Sequence, residues 1–180
     1  MVKIGLIGQV SSGKSSFLNA LSGGFLTSVG LQRKTLQPVA YRFSNSGKPL
    51  TQKMVNQLNS IQSNASDNTE ILFTGNHTIK TPHGFEDIHV IDFPGVNDAG
   101  ESNTEYTSAL ERWINKCDLV FYITDANNTF IMQSEVQLFE RIKQHIQTRN
   151  SAGHFHELHI VVNKYDTPDP EIDENISQID

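Results

Sequence analysis

The chain has 180 residues, of which 37% are hydrophobic and 19% charged, and its formal net charge is −6. That length suits one domain with a substantial apolar core, and the acidic balance disfavours nucleic acid as a partner. The longest unbroken apolar stretch, residues 119–123, falls far short of the ~20 residues a membrane-spanning helix needs, so no membrane contact is expected from this segment.

Apolar runs and helical patterns alternate along the chain, as they do in parallel sheets covered by helices. Strand-like sequence starts at residue 2, which leaves no room for a signal peptide, and Val2 in place of glycine excludes N-myristoylation. A reducing, cytoplasmic setting is expected. The single Cys117, at the end of an amphipathic helix, reads as a buried structural thiol.

A first strand over 2–7 precedes a helix over 14–21, which carries Phe17, Leu18 and Leu21 at core spacing and ends at Gly23 and Gly24. Residues 24–37 lack periodicity and predict a mobile loop. Residues 39–43 alternate like an edge strand, and 44–49 form a turn cluster. The next stretch, 50–61, places Leu50, Met54, Leu58 and Ile61 on one face of an inserted helix. Short strands over 70–74 and 78–80 are expected around a Gly75-Asn76 turn, and a stronger strand over 87–92 stops at Phe93-Pro94-Gly95. A helix over 103–116 turns Tyr106, Leu110, Trp113 and Ile114 inward. Continuous apolar runs at 119–124 and 158–162 predict strands buried on both faces, with an amphipathic helix over 134–148 between them.

Chemistry concentrates at three strand ends, where a parallel sheet presents its ligands. Residues 8–15 read G-Q-V-S-S-G-K-S between the first strand and the first helix, a complete phosphate-binding loop. A triphosphate needs several backbone N–H groups, a helix N-terminus and a cation, and Gly8, Val10, Ser11, Ser12, Gly13, Lys14, Ser15 and Ser16 are the residues expected to supply them. Lys14 would reach the outer phosphates and the Ser15 hydroxyl would bind Mg²⁺. The second motif, Asp92-Phe93-Pro94-Gly95, lets Asp92 hold a Mg²⁺-bound water while the Gly95 N–H approaches the terminal phosphate. The third, Asn163-Lys164-Tyr165-Asp166, selects the base. A carboxylate at Asp166 accepts from two guanine donors, whereas adenine offers an acceptor at that ring position. Asn163 can brace neighbouring loops and the Lys164 stem can lie over the purine.

In that order, these motifs resemble the translation-factor-related class of P-loop GTPases. The run G-Q-V-S-S-G-K-S-S-F-L-N-A-L-S-G, Thr35-Leu36-Gln37-Pro38 and the inserted helix look like the GTPase domain of the dynamin superfamily. The resemblance implies an α/β, three-layer fold of the Ras-like P-loop type, with a mostly parallel sheet and the inserted helix after its second strand. It implies GTP and GDP as ligands, Mg²⁺, a monovalent cation such as K⁺, and hydrolysis of GTP by a molecular switch. Thr35 would then be the switch threonine, on the metal and the attacking water, with Thr27 too close to Lys14 to take that role. Val96 stands where the Ras-like branch has a catalytic glutamine. By the dynamin pattern, Ser11 would instead place the cation and the water, and a homodimer would form across the nucleotide face. Arg33 is weighed as an arginine finger in cis and set aside, since loop arginines are usually solvated. The alternative reading is a nucleotide-dependent interaction module, for an unidentified protein partner, that binds GTP or GDP with little or no hydrolysis. A P-loop kinase would need an acceptor site and an arginine-rich lid, neither of which the sequence offers.

Residues 1–180 read as one GTPase domain that breaks off after the third motif. Asp169, Pro170, Ile172, Ile176 and Ile179 announce a helix, but the C-terminal strand and helix of the family are expected to be missing. His154, His156 and His159 are read as solvated loop histidines rather than metal ligands.

Overall fold

A computed structural model describes residues 1–24, 38–49, 51–63, 72–80, 87–95, 104–128 and 130–164. Its elements are β1 (Val2–Ile7), α1 (Lys14–Ser22), β2 (Val39–Ser44), α2 (Gln52–Ser63), β3 (Leu72–Lys80), β4 (Ile88–Asp92), α3 (Thr104–Ile114), β5 (Leu119–Asp125), α4 (Gln133–Ser151) and β6 (Glu157–Asn163). Six strands form one sheet in the order β3-β2-β4-β1-β5-β6. β1 is parallel to β4 and β5, β5 to β6, and β2 to β3; only β2 and β4 pair antiparallel.

Strand alternation divides the core between the two faces of the sheet. Ile7, Ala40, Ile91, Val120 and Tyr122 pack with Leu110, Trp113 and Ile114 of α3 and with Leu138, Phe139, Ile142 and Ile146 of α4. Leu6, Tyr41, Phe43, Val90 and Ile123 pack with Leu18 of α1 and Met54 of α2. This is the expected three-layer α/β arrangement, and β1, with Leu6 and Ile7 both fully buried, is its central strand.

Three expectations are corrected. β2 is not an edge strand: it is paired on both sides and buried at five of its six positions. The helix α2 is the crossover that parallel pairing of β2 and β3 demands, so the insertion brings with it β3, the edge of the sheet on that side among the described residues. The two short strands around Gly75-Asn76 are one strand, β3. Its register on β2 runs from Ala40 opposite Phe73 to Arg42 opposite Thr78, so the glycine marks a bulge within the strand rather than a turn between two. Finally, β6 is only half-buried along its length and His159 is exposed, because β6 is the opposite edge of the sheet among the described residues. Leu50 and the side chains of Leu58, Ile61 and Tyr106 lie outside the described set, as does the helix expected from Asp169.

Candidate functional site

The site is built at the C-terminal ends of β1, β4, β5 and β6. After Ile7 the backbone turns through Gly8 (φ 153), Ser11 (φ 65) and Gly13 (φ 102) before α1 begins. Side chains are sterically barred at both glycines. A Cβ on Gly8 would lie 2.1 Å from the Ile123 carbonyl oxygen, and one on Gly13 would lie 1.8 Å from Asn163 Nδ2. Gly13 caps α1 with no side-chain hydrogen bond, and the first turn carries no acidic residue. Its N–H groups and the positive end of the helix dipole are thus presented to an anion. The Ser12 hydroxyl is buried with no hydrogen-bond partner among the described residues.

Lys14 is 7% exposed and folds back over the loop, its Nζ donating to the carbonyls of Gly8 (2.9 Å) and Gln9 (2.6 Å). Burial lowers its pKa to about 8, against the opposing pull of the nearby Asp92 carboxylate. Asp92 itself is fully buried at the end of β4, in register with Leu6 of β1. Tyr41, buried on β2, also faces Asp92; burial first and that carboxylate second raise its phenol well above the ordinary range. Phe93 stacks on Trp113 of α3 with ring centroids 5.7 Å apart, which anchors the start of the D-x-P-G turn. Gly95 then passes directly against the phosphate loop: a Cβ there would meet Val10 Cγ2 at 2.7 Å and the Val10 N and Cα at 2.9 Å.

At the end of β6, Asn163 Nδ2 donates to the Ser12 carbonyl at 3.1 Å, which is the bracing geometry the sequence suggested. Lys164 adopts φ 61 and extends its ammonium to Asp125 Oδ2 at 2.5 Å. Burial pushes the Asp125 carboxyl up, but hydrogen bonds from Lys164 and Asn127 outweigh it and hold the group below its usual value. Sequence reading missed Asp125, although its position, the first acid after the apolar run of β5, was the available signal. It also missed the buried Glu135 behind it, which looks like an ordinary helix-face acid in the sequence. Ser11 and Ser16 are exposed and Ser15 is partly exposed at the start of α1. Thr27, Arg33, Thr35, Val96, Tyr165 and Asp166 lie outside the described residues.

The histidine cluster divides. His156 is buried, not solvated: its Nδ1–H donates to the Cys117 carbonyl at 2.7 Å, and Asn150 bonds both its N–H and its carbonyl at 2.8 Å. His159 pairs with Glu157 on the surface at 3.0 Å.

No characterised protein sequence matches the chain at a significant level. Among solved structures, Era from Aquifex aeolicus bound to GDP and aluminium fluoride is 16% identical with a TM-score of 0.58, covering 98% of this chain and 46% of that one. Toc33 from Arabidopsis thaliana is also 16% identical, with a TM-score of 0.57, covering 98% of this chain and 57% of its own. Era in complex with MgGDPNP and a segment of 16S ribosomal RNA gives 0.59 at 16% identity, over 99% of this chain and 46% of that one. The chain therefore spans about half the length of the structures it matches, and the shared feature is the fold. A profile of the dynamin family matches residues 4–165, which include the first two motifs and the third up to Tyr165. The chain belongs to the dynamin family of P-loop GTPases.

Proposed function

We propose that this segment binds guanine nucleotide and hydrolyses GTP with Mg²⁺ as a dynamin-like switch. The observation that carries the reading is the joining of two distant motifs: Asn163, at the last strand, donates to the Ser12 carbonyl of the phosphate loop, while Gly95 closes on Val10 from β4. A base-recognition motif held against a phosphate cradle is what a nucleoside triphosphate requires. Guanine is favoured by Asp166, two residues after Lys164. Era and Toc33 have been solved with guanine nucleotides, which supports the same ligand here.

The donor set suits Mg²⁺. The buried Asp92 carboxylate, beside Lys14, and the Ser15 hydroxyl, one residue past the lysine, are hard oxygens of the kind a small divalent cation accepts while keeping waters; Thr35 would add another. When bound, the ion neutralises phosphate charge. Lys14, Gly95 and the loop N–H groups would hold the terminal phosphate, and Ser11 would orient the water together with K⁺. The left-handed backbone at Ser11, strained for a residue with a side chain, supports a functional reason for its place in the loop. Dimerisation across the nucleotide face completes this proposal, and the solved Toc33 is a dimerisation-deficient mutant.

Lys14→Ala should abolish the thermal stabilisation by GTP and GDP, with ATP giving none in the parent protein. Ser11→Ala should bind GTP normally and release phosphate about tenfold or more slowly. Equal turnover by the Ser11 variant removes its assigned role. Val96, which cannot orient a water, favours a second reading as a nucleotide-dependent interaction module. Phosphate release that stays at background with and without K⁺, at every protein concentration, decides for that module.

A further inference from the structure

Behind the base-recognition end of the site lies a buried acid that touches no predicted ligand atom. Glu135, in the first turn of α4, is 3% exposed. Both of its oxygens are used. Oε1 accepts from Thr124 Oγ1 at 2.8 Å, and Oε2 accepts from the Phe130 N–H at 3.1 Å. These donors come from the end of β5 and from the connection to α4: Thr124 directly precedes Asp125, and Phe130 lies three residues before α4 begins.

Phe130 sits at φ 52, a conformation costly for a bulky side chain. Its ring is stacked on Tyr122 at 5.9 Å and meets Phe139 edge-on at 5.0 Å. At the near end, Asp125 Oδ1 accepts from the Asn127 N–H at 3.0 Å and Asn127 Nδ2 at 3.3 Å, which fixes the first turn of the loop. Asp125 Oδ2 is left directed at Lys164. Glu135 is thus hydrogen-bonded to Thr124, whose covalent neighbour Asp125 is hydrogen-bonded to the lysine of the N-K-x-D motif.

A buried carboxylate costs several kcal/mol unless it is satisfied, so an acid kept here in place of an apolar residue must compensate for its desolvation through what it holds. Burial, partly offset by the Thr124 and Phe130 hydrogen bonds, raises the Glu135 carboxyl above its ordinary value. We infer that Glu135 is a positioning residue for guanine recognition: by holding Thr124 and Phe130, on either side of Asp125 in the chain, it keeps Asp125 where it can fix Lys164 against the base. The inference rests on the reading of Lys164 and Asp166 as the base end of a guanine-nucleotide site.

The test uses fluorescent GDP binding, with ADP and inorganic triphosphate as competitors, on the parent chain, Glu135→Leu, Glu135→Gln and Thr124→Val. Glu135→Leu should bind GDP about tenfold more weakly, the scale of a displaced positioning group, while its affinity for inorganic triphosphate stays at the parent value. Glu135→Gln should restore GDP binding, because the amide can accept from Phe130 and donate to the Thr124 hydroxyl. Unchanged GDP affinity in Glu135→Leu overturns the inference, as does an equal loss of triphosphate and GDP, which would mean general collapse of the loop. If Glu135→Leu does not fold, Thr124→Val is read by the same criteria, with a loss of about threefold expected from one missing bond. A parent protein that prefers GDP no more than ADP defeats the guanine reading itself, and the inference with it. Guanine preference in the parent with no change in the variants defeats the inference alone.

Discussion

Gly95 carries no side chain because the phosphate loop leaves no room for one. Two of the three atoms a Cβ would strike belong to the Val10 backbone, at 2.9 Å, so the conflict cannot be relieved by trimming a neighbour. Gly95→Ala should therefore weaken GTP binding by about tenfold or more, and Val10→Gly in the same chain should not restore it; calorimetric titration of both variants checks this. The residues at this site divide by how local their signal is. Gly8, Gly13, Lys14, Asp92 and Asn163 were legible in the sequence because short motifs set their spacing from neighbouring residues. Asp125 and Glu135 were not, since each acquires its role from a partner on another element: Lys164 across 39 positions and Thr124 across 11. His156 was misread for the same reason. Nothing near it in sequence discloses that its ring lies under the Cys117 carbonyl, 39 positions away.

Between elements, α3 is the support on which the D-x-P-G turn rests. Trp113 is 5% exposed and lies nearly parallel to the Phe93 ring, with an interplanar angle of 13°. Trp113→Ala should cost about 3–5 kcal/mol, read as a lower urea midpoint at unchanged slope. Because Phe93 sits between Asp92 and Gly95, the variant should also loosen the turn those residues form. A result below about 1 kcal/mol would mean that α3 is not the anchor of this turn. The inserted unit teaches a different lesson at this scale. Met54 signalled a buried helix face correctly, yet alternation in β2 could not disclose its second partner, β3. Strand pairing is non-local, and a strand with one covered edge has the same alternating pattern as one with two.

At the scale of the molecule, Cys117 reports on the fold as a unit. It lies 1% exposed beside α3, its Sγ within 3.5 Å of the Trp113 carbonyl. Burial first, with the nearby Asp118 adding to it, raises its pKa to about 12. At pH 8 about one thiol in ten thousand is then the reactive thiolate, so iodoacetamide should label Cys117 only through global opening. Labelling in step with the urea transition, and slowed by GDP, is the expected outcome. Rapid labelling of the folded chain contradicts this placement of Cys117 in the core. The places of the G-x-x-x-x-G-K-S, D-x-P-G and N-K-x-D motifs were legible in the sequence alone, because each is a contiguous run marked by residue type and spacing. Tertiary structure alone decided which strands form the edges, that α2 is a crossover carrying β3, and that Asp125 and Glu135 stand behind Lys164. Those facts depend on long-range pairing and on burial, where the energy of a residue is set by neighbours that the linear chain does not place beside it.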